Sequence, residues 1–335
     1  MKSHTFTQSR GQLPEFDELD RQLLQALQLN GRAPFSRIAE VLGVSDQTIA
    51  RRYSRLRSAG SLRVLGMTDP VVLGEVAWFV RVHCAPDVAG SVAEALARRE
   101  DTSWVSLTSG GTEIACVARA GAEEDSNALL LQKLPHTPRV LGVTAQCILH
   151  TFFGGAKGLV NKQRHLTPEQ IEAIAVSRPP AGVVDPGPLT EADQRMLAVL
   201  ATDGRAGFAE LAQASGTSQS TVRRRLSELS DSGLLYLDLE FDRRILDLDT
   251  RAMLWLSVSP ANLVAVGEAM AEHREVAFCA AVSGQSNLAA SVVCSGVRAL
   301  YEYLTDKVAK LPGVQLAETA PVIRTVKSIS TGRIP

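Results

Sequence analysis

At 335 residues and 45% apolar content, the chain is long enough for two or more domains with real cores. A formal net charge of −1 excludes a polycation that holds nucleic acid by bulk charge, so any such role falls to local patches. Five cysteines (Cys84, Cys116, Cys147, Cys279 and Cys294), odd in number and without C-x-x-C spacing, read as buried reduced thiols. The polar start MKSHTFTQSRGQ lacks the apolar core of a signal peptide, and no uncharged apolar run approaches the ~20 residues that span a bilayer. A soluble cytoplasmic protein, with no membrane partner, is expected.

Residues 1–16 read as a disordered arm, and residues 17–66 as a winged helix-turn-helix. The first helix begins at Asp17, which is placed with Asp20 for capping; Leu19, Leu23, Leu24 and Leu27 form its apolar stripe, and Asn30-Gly31 ends it. In IAEVLGVSDQTIARRYSRLRSAG, Ile38, Leu42, Ile49, Tyr53 and Leu56 carry helical spacing on either side of Gly43. Gly43 suits the positive φ of a tight turn, and Ser45 caps a second helix that would lie in the major groove of DNA. SLRVLGMTD then gives a strand and turn, the wing. From Glu75 the period changes to that of strands. EVAWFVRVHC, Val88–Arg99, Trp104–Thr108, Ile114–Ala118, Asp125–Leu134 (stopped by Pro135) and Val140–Phe153 make the order βαββαβ, the ferredoxin-like pattern, over residues 75–153.

Residues 154–188 read as a linker with a short helix at Pro168, capped by Thr167, and a semi-rigid spacer from Pro179 to Pro188. The pattern then restarts. Asp193–Tyr236 aligns with Asp20–Arg63 at a constant offset without a gap, matching Gly31/Gly204, Arg32/Arg205, Phe35/Phe208, Gly43/Gly216, Ser45/Ser218, Arg51/Arg224 and Arg52/Arg225. Chance likeness of amphipathic helices does not also match glycines and arginines, so the chain is a duplication. A second winged helix-turn-helix is expected over 189–240 and a second ferredoxin-like domain over 251–328. The fold class is therefore α+β, two of each.

The stretch LDRQLLQALQLNGRAPFSRIAEVLGVSDQTIARRYSRLRSAG, with SLRVLGMTDPVVLG after it, resembles the Lrp/AsnC (feast/famine) family of transcriptional regulators. A typical member is half this length, with one winged helix and one effector (RAM) domain. The resemblance implies a DNA-binding regulator in which one chain forms a covalent pseudo-dimer. It implies paired effector domains, self-association into dimers or larger rings, and modulation by a small amino-acid-like effector. No cofactor is implied.

On the first recognition helix the residues expected at DNA are Ser45, Gln47, Thr48, Arg51, Arg52 and Arg55; on the second they are Ser218, Gln219, Ser220, Thr221, Arg223, Arg224 and Arg225. Arg reads guanine and Gln adenine, whereas Ser and Thr hold phosphates. Arg52 and Arg225 equally suit an internal brace. The modules differ: residues 17–65 hold eight Arg against five acids, and residues 190–240 five Arg against eight acids. Arg55 has become Glu228. Either the second module reads a different half-site, the slightly preferred reading, or it mainly serves assembly.

By the resemblance, the effector would sit at the loop between the second and third strands of each effector domain. These loops are Ser109, Gly110, Gly111, Thr112 and Glu113, and Ser283, Gly284, Gln285, Ser286 and Asn287. Family members often have Asp where this chain has Glu113 and Asn287. H-E-x-x-H, G-x-x-x-x-G-K-[ST] and G-x-S-x-G are absent, so neither a catalytic set nor a metal site is expected. Two alternatives stand beside the regulator: a fused siroheme decarboxylase-like enzyme, whose His-Asn-Tyr stretch is missing from GEVAWFVRVHC, and an assembly scaffold that binds no DNA.

Overall fold

Residues 16–120, 133–134, 136–176 and 185–329 are described by a computed structural model. The expected arm, most of the helix expected over Asp125–Leu134 with its Pro135 stop, and part of the Pro179–Pro188 spacer lie outside them. In the first module Asp17 and Asp20 form a reciprocal capping box that opens α1 (Glu18–Leu29). α2 (Phe35–Leu42) ends at Gly43, whose φ of 68° admits the turn, and Ser45 caps α3 (Asp46–Ser58). β1 (Leu62–Thr68) leads to the first ferredoxin-like unit: β2 (Val76–Cys84), α4 (Ala89–Ala97), β3 (Thr102–Thr108), β4 (Glu113–Ala120) and β5 (Val140–Phe153). After α5 (Pro168–Ile174) the second module repeats as α6 (Glu191–Leu200), α7 (Phe208–Ser215), α8 (Gln219–Asp231) and β6 (Leu235–Phe241). The second unit is β7 (Thr250–Val258), α9 (Leu263–Glu272), β8 (Val276–Val282), β9 (Leu288–Cys294), α10 (Val297–Glu302) and β10 (Val314–Thr325).

The wings depart from the sequence reading. β1 makes no hairpin inside its own module. It pairs antiparallel with β6 of the other, from Leu62↔Phe241 to Thr68↔Leu235. A lone strand leaves its backbone groups unpaired, and its repeat supplies the partner. α1 ends at Asn30-Gly31 as expected, and Gly31 serves a further purpose. A Cβ there would lie 2.9 Å from Val64 and 3.0 Å from Leu237, and one on Gly204 would lie 3.0 Å from the Leu65 backbone. Both glycines let the helical modules close onto the shared ribbon.

The two ferredoxin-like units also merge. β5 pairs with β2 and then crosses to β8 of the other unit, while β10 pairs with β7 and crosses to β3. The result is a closed eight-stranded barrel in the order β10-β3-β4-β2-β5-β8-β9-β7, which leaves the two units without an edge strand. Alternation divides each strand. Val80, Val82 and Cys84 face α4, and Ala252, Leu254 and Leu256 pack in the outer cluster that includes Val266 and Met270 of α9. Phe79, Met253, Trp255, Ala280 and Val282 fill the inside, with Trp255 wholly buried.

Residues 154–176 are not a free tether. Val160, Leu166 and Ile174 are buried in the core of the first module beside Leu23, Leu27 and Ile38. Polar clamps hold them there: the Gln25 carboxamide accepts from the backbone N–H groups of His165 (2.7 Å) and Leu166 (2.9 Å). Ile245, Leu246 and Leu248 join the same cluster. The second module has a smaller core of its own around Met196, Leu200, Leu211, Val222 and Leu229.

Candidate DNA interface and effector loops

The capping geometry of both recognition helices follows the sequence. Ser45 Oγ accepts from Thr48 N at 3.1 Å and Ser218 Oγ from Thr221 N at 3.2 Å. Gln47, Arg51, Arg55, Gln219, Ser220, Arg223 and Arg224 are exposed on these helices, and Thr48 and Thr221 are half-buried at their first turns.

The arginines divide by role. Arg52 turns inward, bonding Asp17 at 2.7 Å and Asp20 at 3.0 Å, and Arg225 bonds both oxygens of Asp193 and the Pro186 carbonyl. Burial alone would raise the Asp193 carboxyl, but Arg225 and Thr190 hold it below the usual carboxylate range. Of the two roles open to this pair, the bracing one is what these contacts perform. Arg55 also reaches Asp20, at 2.5 Å. Arg51 makes no hydrogen bond or ion pair among the described residues, and its guanidinium is available outside the module. Its counterpart Arg224 is bound to Glu228 at 2.6 Å, and Glu228 also takes Arg225 at 3.2 Å. Arg223 lies over the Phe208 ring, 4.3 Å from its centroid.

A contact that sequence reading missed fixes the two modules to each other. Arg32 donates to the Gly204 and Ala206 carbonyls at 2.7 and 2.8 Å, and Arg205 returns the bonds to Gly31 and Ala33 at 2.6 and 3.0 Å. Each guanidinium also lies over the other module's aromatic ring, Arg32 on Phe208 and Arg205 on Phe35. The signal was present: N-G-R-A and D-G-R-A recur at the same place in both repeats. Arg57 adds a bond to Asp203 at 2.7 Å.

The two expected effector loops are built differently. In the first, Ser109, Gly110 and Gly111 take φ of 53°, 74° and 87°, which leaves the turn open and exposed at Ser109, Gly110 and Thr112. Glu113 is buried under it, accepting from Ser109 Oγ (2.7 Å) and paired with Arg81. Arg81 also pairs with Glu318 from the other unit and stacks 3.7 Å over Trp255. Glu113 therefore helps to join the halves.

In the second loop Gln146 donates to the carbonyls of Ser283 (2.9 Å) and Ser286 (2.8 Å). Ser283 Oγ accepts from Cys147 N, Gln285 O accepts from Ser257, and Asn287 clasps both backbone groups of Val258. Strand register puts Ala320 where Gln146 stands, so the first loop has no such latch. Gly284 and Gln285 remain exposed at the tip of the second loop. Among the described residues no helix is long and apolar enough to cross a membrane.

Comparison with known proteins places this architecture. A sequence model of the AsnC-type helix-turn-helix domain matches residues 16–57 and 189–230, and one of the Lrp/AsnC ligand binding domain matches residues 251–331. The HTH-type transcriptional regulator LrpA of Pyrococcus abyssi is 30% identical over 135 residues, 39% of this chain and 92% of that protein. An uncharacterized HTH-type transcriptional regulator of Pyrococcus furiosus is 29% identical over 150 residues, 44% of this chain and 99% of its own. The crystal structure of the siroheme decarboxylase NirDL matches 93% of both chains with a TM-score of 0.62, at 16% identity, a likeness of fold alone. Each regulator aligns almost whole with less than half of this chain, as a duplicated unit requires. With two AsnC-type helix-turn-helix domains, the matched ligand-binding domain and its structural repeat in one polypeptide, the chain belongs to the Lrp/AsnC family as a fused pair of its units.

Proposed function

We propose that the chain is a sequence-specific, DNA-binding transcriptional regulator, cytoplasmic and not an enzyme, that presents two unequal heads to one operator. The observation that carries this reading is the reciprocal Arg32/Arg205 lock. It fixes two capped recognition helices to one another, and outward from the first stands Arg51 without a partner among the described residues. A head fixed in this way reads half-sites at one spacing. Ser45, Thr48, Ser218, Ser220 and Thr221 suit phosphates, while Gln47, Arg51, Gln219, Arg223 and Arg224 suit base edges. Arg55 supports Asp20 and adds positive charge at the surface.

A small effector, amino-acid-like by family, fits the first loop better than the second. The backbone at exposed Gly110 and half-buried Gly111 is unlatched, whereas Gln146 occupies the carbonyls of the second. Closed strand edges in the barrel leave further assembly to its outer faces.

Selection of sites from random DNA by the full-length protein, at two salt concentrations, tests the main reading. A salt-sensitive motif with dissimilar halves is expected. Absence of enrichment at low salt sinks the reading and favours the scaffold. A second reading rests on the whole-length fold likeness to NirDL, a siroheme decarboxylase. It requires a bound tetrapyrrole, which an absorbance titration with an iron porphyrin detects directly.

A further inference from the structure

Arg251 is 8% exposed, yet among the described residues it meets no carboxylate. Its neighbours are neutral: Ser291 Oγ accepts from Nε at 3.0 Å, Ser106 Oγ from Nη1 at 3.5 Å, and the Met253 sulphur lies 3.9 Å from Nη2. Six other inward arginines among the described residues are compensated. Arg52, Arg63, Arg81 and Arg225 have carboxylates, and Arg32 and Arg205 have two carbonyls each. Burial first, and then the neighbouring charge of Arg243, push the Arg251 guanidinium down to about 9. An isolated buried cation is costly unless a counter-charge is supplied.

Around Arg251 stand donors in want of an acceptor. The Ser291 hydroxyl, already accepting from Arg251, has its own proton unplaced among the described residues. Thr325, which pairs in register with Ser106, has a buried hydroxyl with no partner, and so does the Nε of Arg243. Trp104 covers the cluster. Arg251 lies 5.6 Å from its ring centroid, and the residue takes a φ of 56° beside a register shift in β3. Trp104 is 38% exposed and marks the side nearest solvent.

The fold does not require this cluster. Strand register assigns Ala77, Ala280 and Val117 to the places that Arg251, Ser106 and Ser291 hold in the other half. The repeat has apolar side chains at those three places and keeps only a threonine, Thr151, where Thr325 stands, so the arginine and both serines are particular to one of two equivalent places.

We propose that Arg251, with Ser291 and Thr325, is a receptor for a small monocarboxylate, bound where β3, β7, β9 and β10 converge. A carboxylate is acceptor-only and matches a guanidinium fork flanked by hydroxyl donors. A single negative charge balances Arg251, because Asp242 and Asp249 already offset Arg243, and Trp104 and Met253 flank a short apolar body. This place is separate from the Ser109–Glu113 loop, which follows the far end of β3.

The test uses the full-length protein without DNA, so its result is independent of the regulator reading. Acetate and pyruvate are titrated at constant ionic strength, with inorganic phosphate and chloride as comparison arms, following tryptophan emission and melting temperature. Pyruvate or acetate is expected to give a saturable change in emission and to raise the melting temperature by about 5 °C well above Kd. Thr112→Ala is expected to leave this response intact. Arg251→Met is expected to melt at or above the wild-type temperature without ligand and to lose the response. Ser291→Ala keeps the cation and is expected to bind at least ~10-fold more weakly, which covers a folding failure of the methionine variant. No saturable response of the wild type to either carboxylate overturns the proposal. An equal response in Arg251→Met, or a stronger one to phosphate than to pyruvate, does the same.

Discussion

The two DNA-reading modules share caps, turn glycines and the Arg32/Arg205 lock, and differ in what surrounds them. The first is built into a large core with residues of the former linker and the turn after β6, whereas the second rests on its own small cluster. On the first recognition helix Arg51 stands free of partners among the described residues; on the second Arg224 is tied to Glu228. A homodimer would have to use one residue for both roles. Here the contacts near the pseudo-two-fold axis pair unlike residues that hold equivalent places: Leu65 with Asp238 in the ribbon and Arg81 with Trp255 in the barrel. Like residues meeting there would put two guanidinium groups or two carboxylates against each other. Fusion removes that constraint. The backbone keeps its symmetry while side chains at the axis and on the DNA face diverge.

Removal of a shared strut should show the difference most strongly. Asp20 is wholly buried and takes both Arg52 and Arg55, whereas Asp193 takes Arg225 alone. Asp20→Ala is expected to cost about 3 kcal/mol in urea unfolding, and Asp193→Ala distinctly less. Equal losses would mean that the second arginine adds nothing.

Next in size is the ribbon. Burial raises the Asp238 carboxyl to about 6, although Gln28 donates to it at 3.2 Å. A carboxyl raised on folding contributes its full stability below its unfolded value near 4, and the contribution is lost as pH rises through about 6. Asp238→Asn should therefore gain about 1–2 kcal/mol at pH 7, with remaining solvent contact screening part of the cost. The advantage should vanish between about pH 6 and 4. An advantage constant over that range would locate the effect elsewhere.

Much of this was legible in the chain. Helix caps announce themselves locally, as in Ser45 and Thr167, and β5 falls on Val140–Phe153 as read, while β3 and β4 contain the expected Trp104–Thr108 and Ile114–Ala118, because strand-type residues and flanking turns delimit them. Strand partners are another matter. Nothing within β5 or β10 says that its second half crosses to the other unit, and β1 carries no mark of pairing with β6, since such choices depend on distant edges. The repeat itself was the available clue. Arg52 and Arg225 were open between DNA and brace because a helix face in sequence does not reveal what lies against it; Asp17, Asp20 and Asp193 settle their contacts. Arg251 went unnoticed because an Arg beside a strand start reads as exposed. Its alternation with Met253 and Trp255, both inward, was the signal.

At the DNA face, loss of an arginine and loss of a carboxylate are expected to act in opposite directions. Arg51→Ala should weaken specific binding by about 1–3 kcal/mol, as for loss of a base-reading arginine. Arg224→Ala should weaken it by less, since Glu228 already offsets that charge.

Glu228→Gln sharpens the contrast. Arg225 first and then Arg224 hold the Glu228 carboxyl below its usual range, so it stays ionised at neutral pH and neutralises the helix face. The amide keeps the shape and removes the charge, freeing Arg224 for DNA. Affinity should rise about threefold at low salt, with a steeper salt dependence, because one more cation reaches a phosphate. The gain should disappear in the double variant Glu228→Gln/Arg224→Ala. If the single variant binds as the wild type does at every salt concentration, α8 does not approach DNA and the second module serves only to position the first.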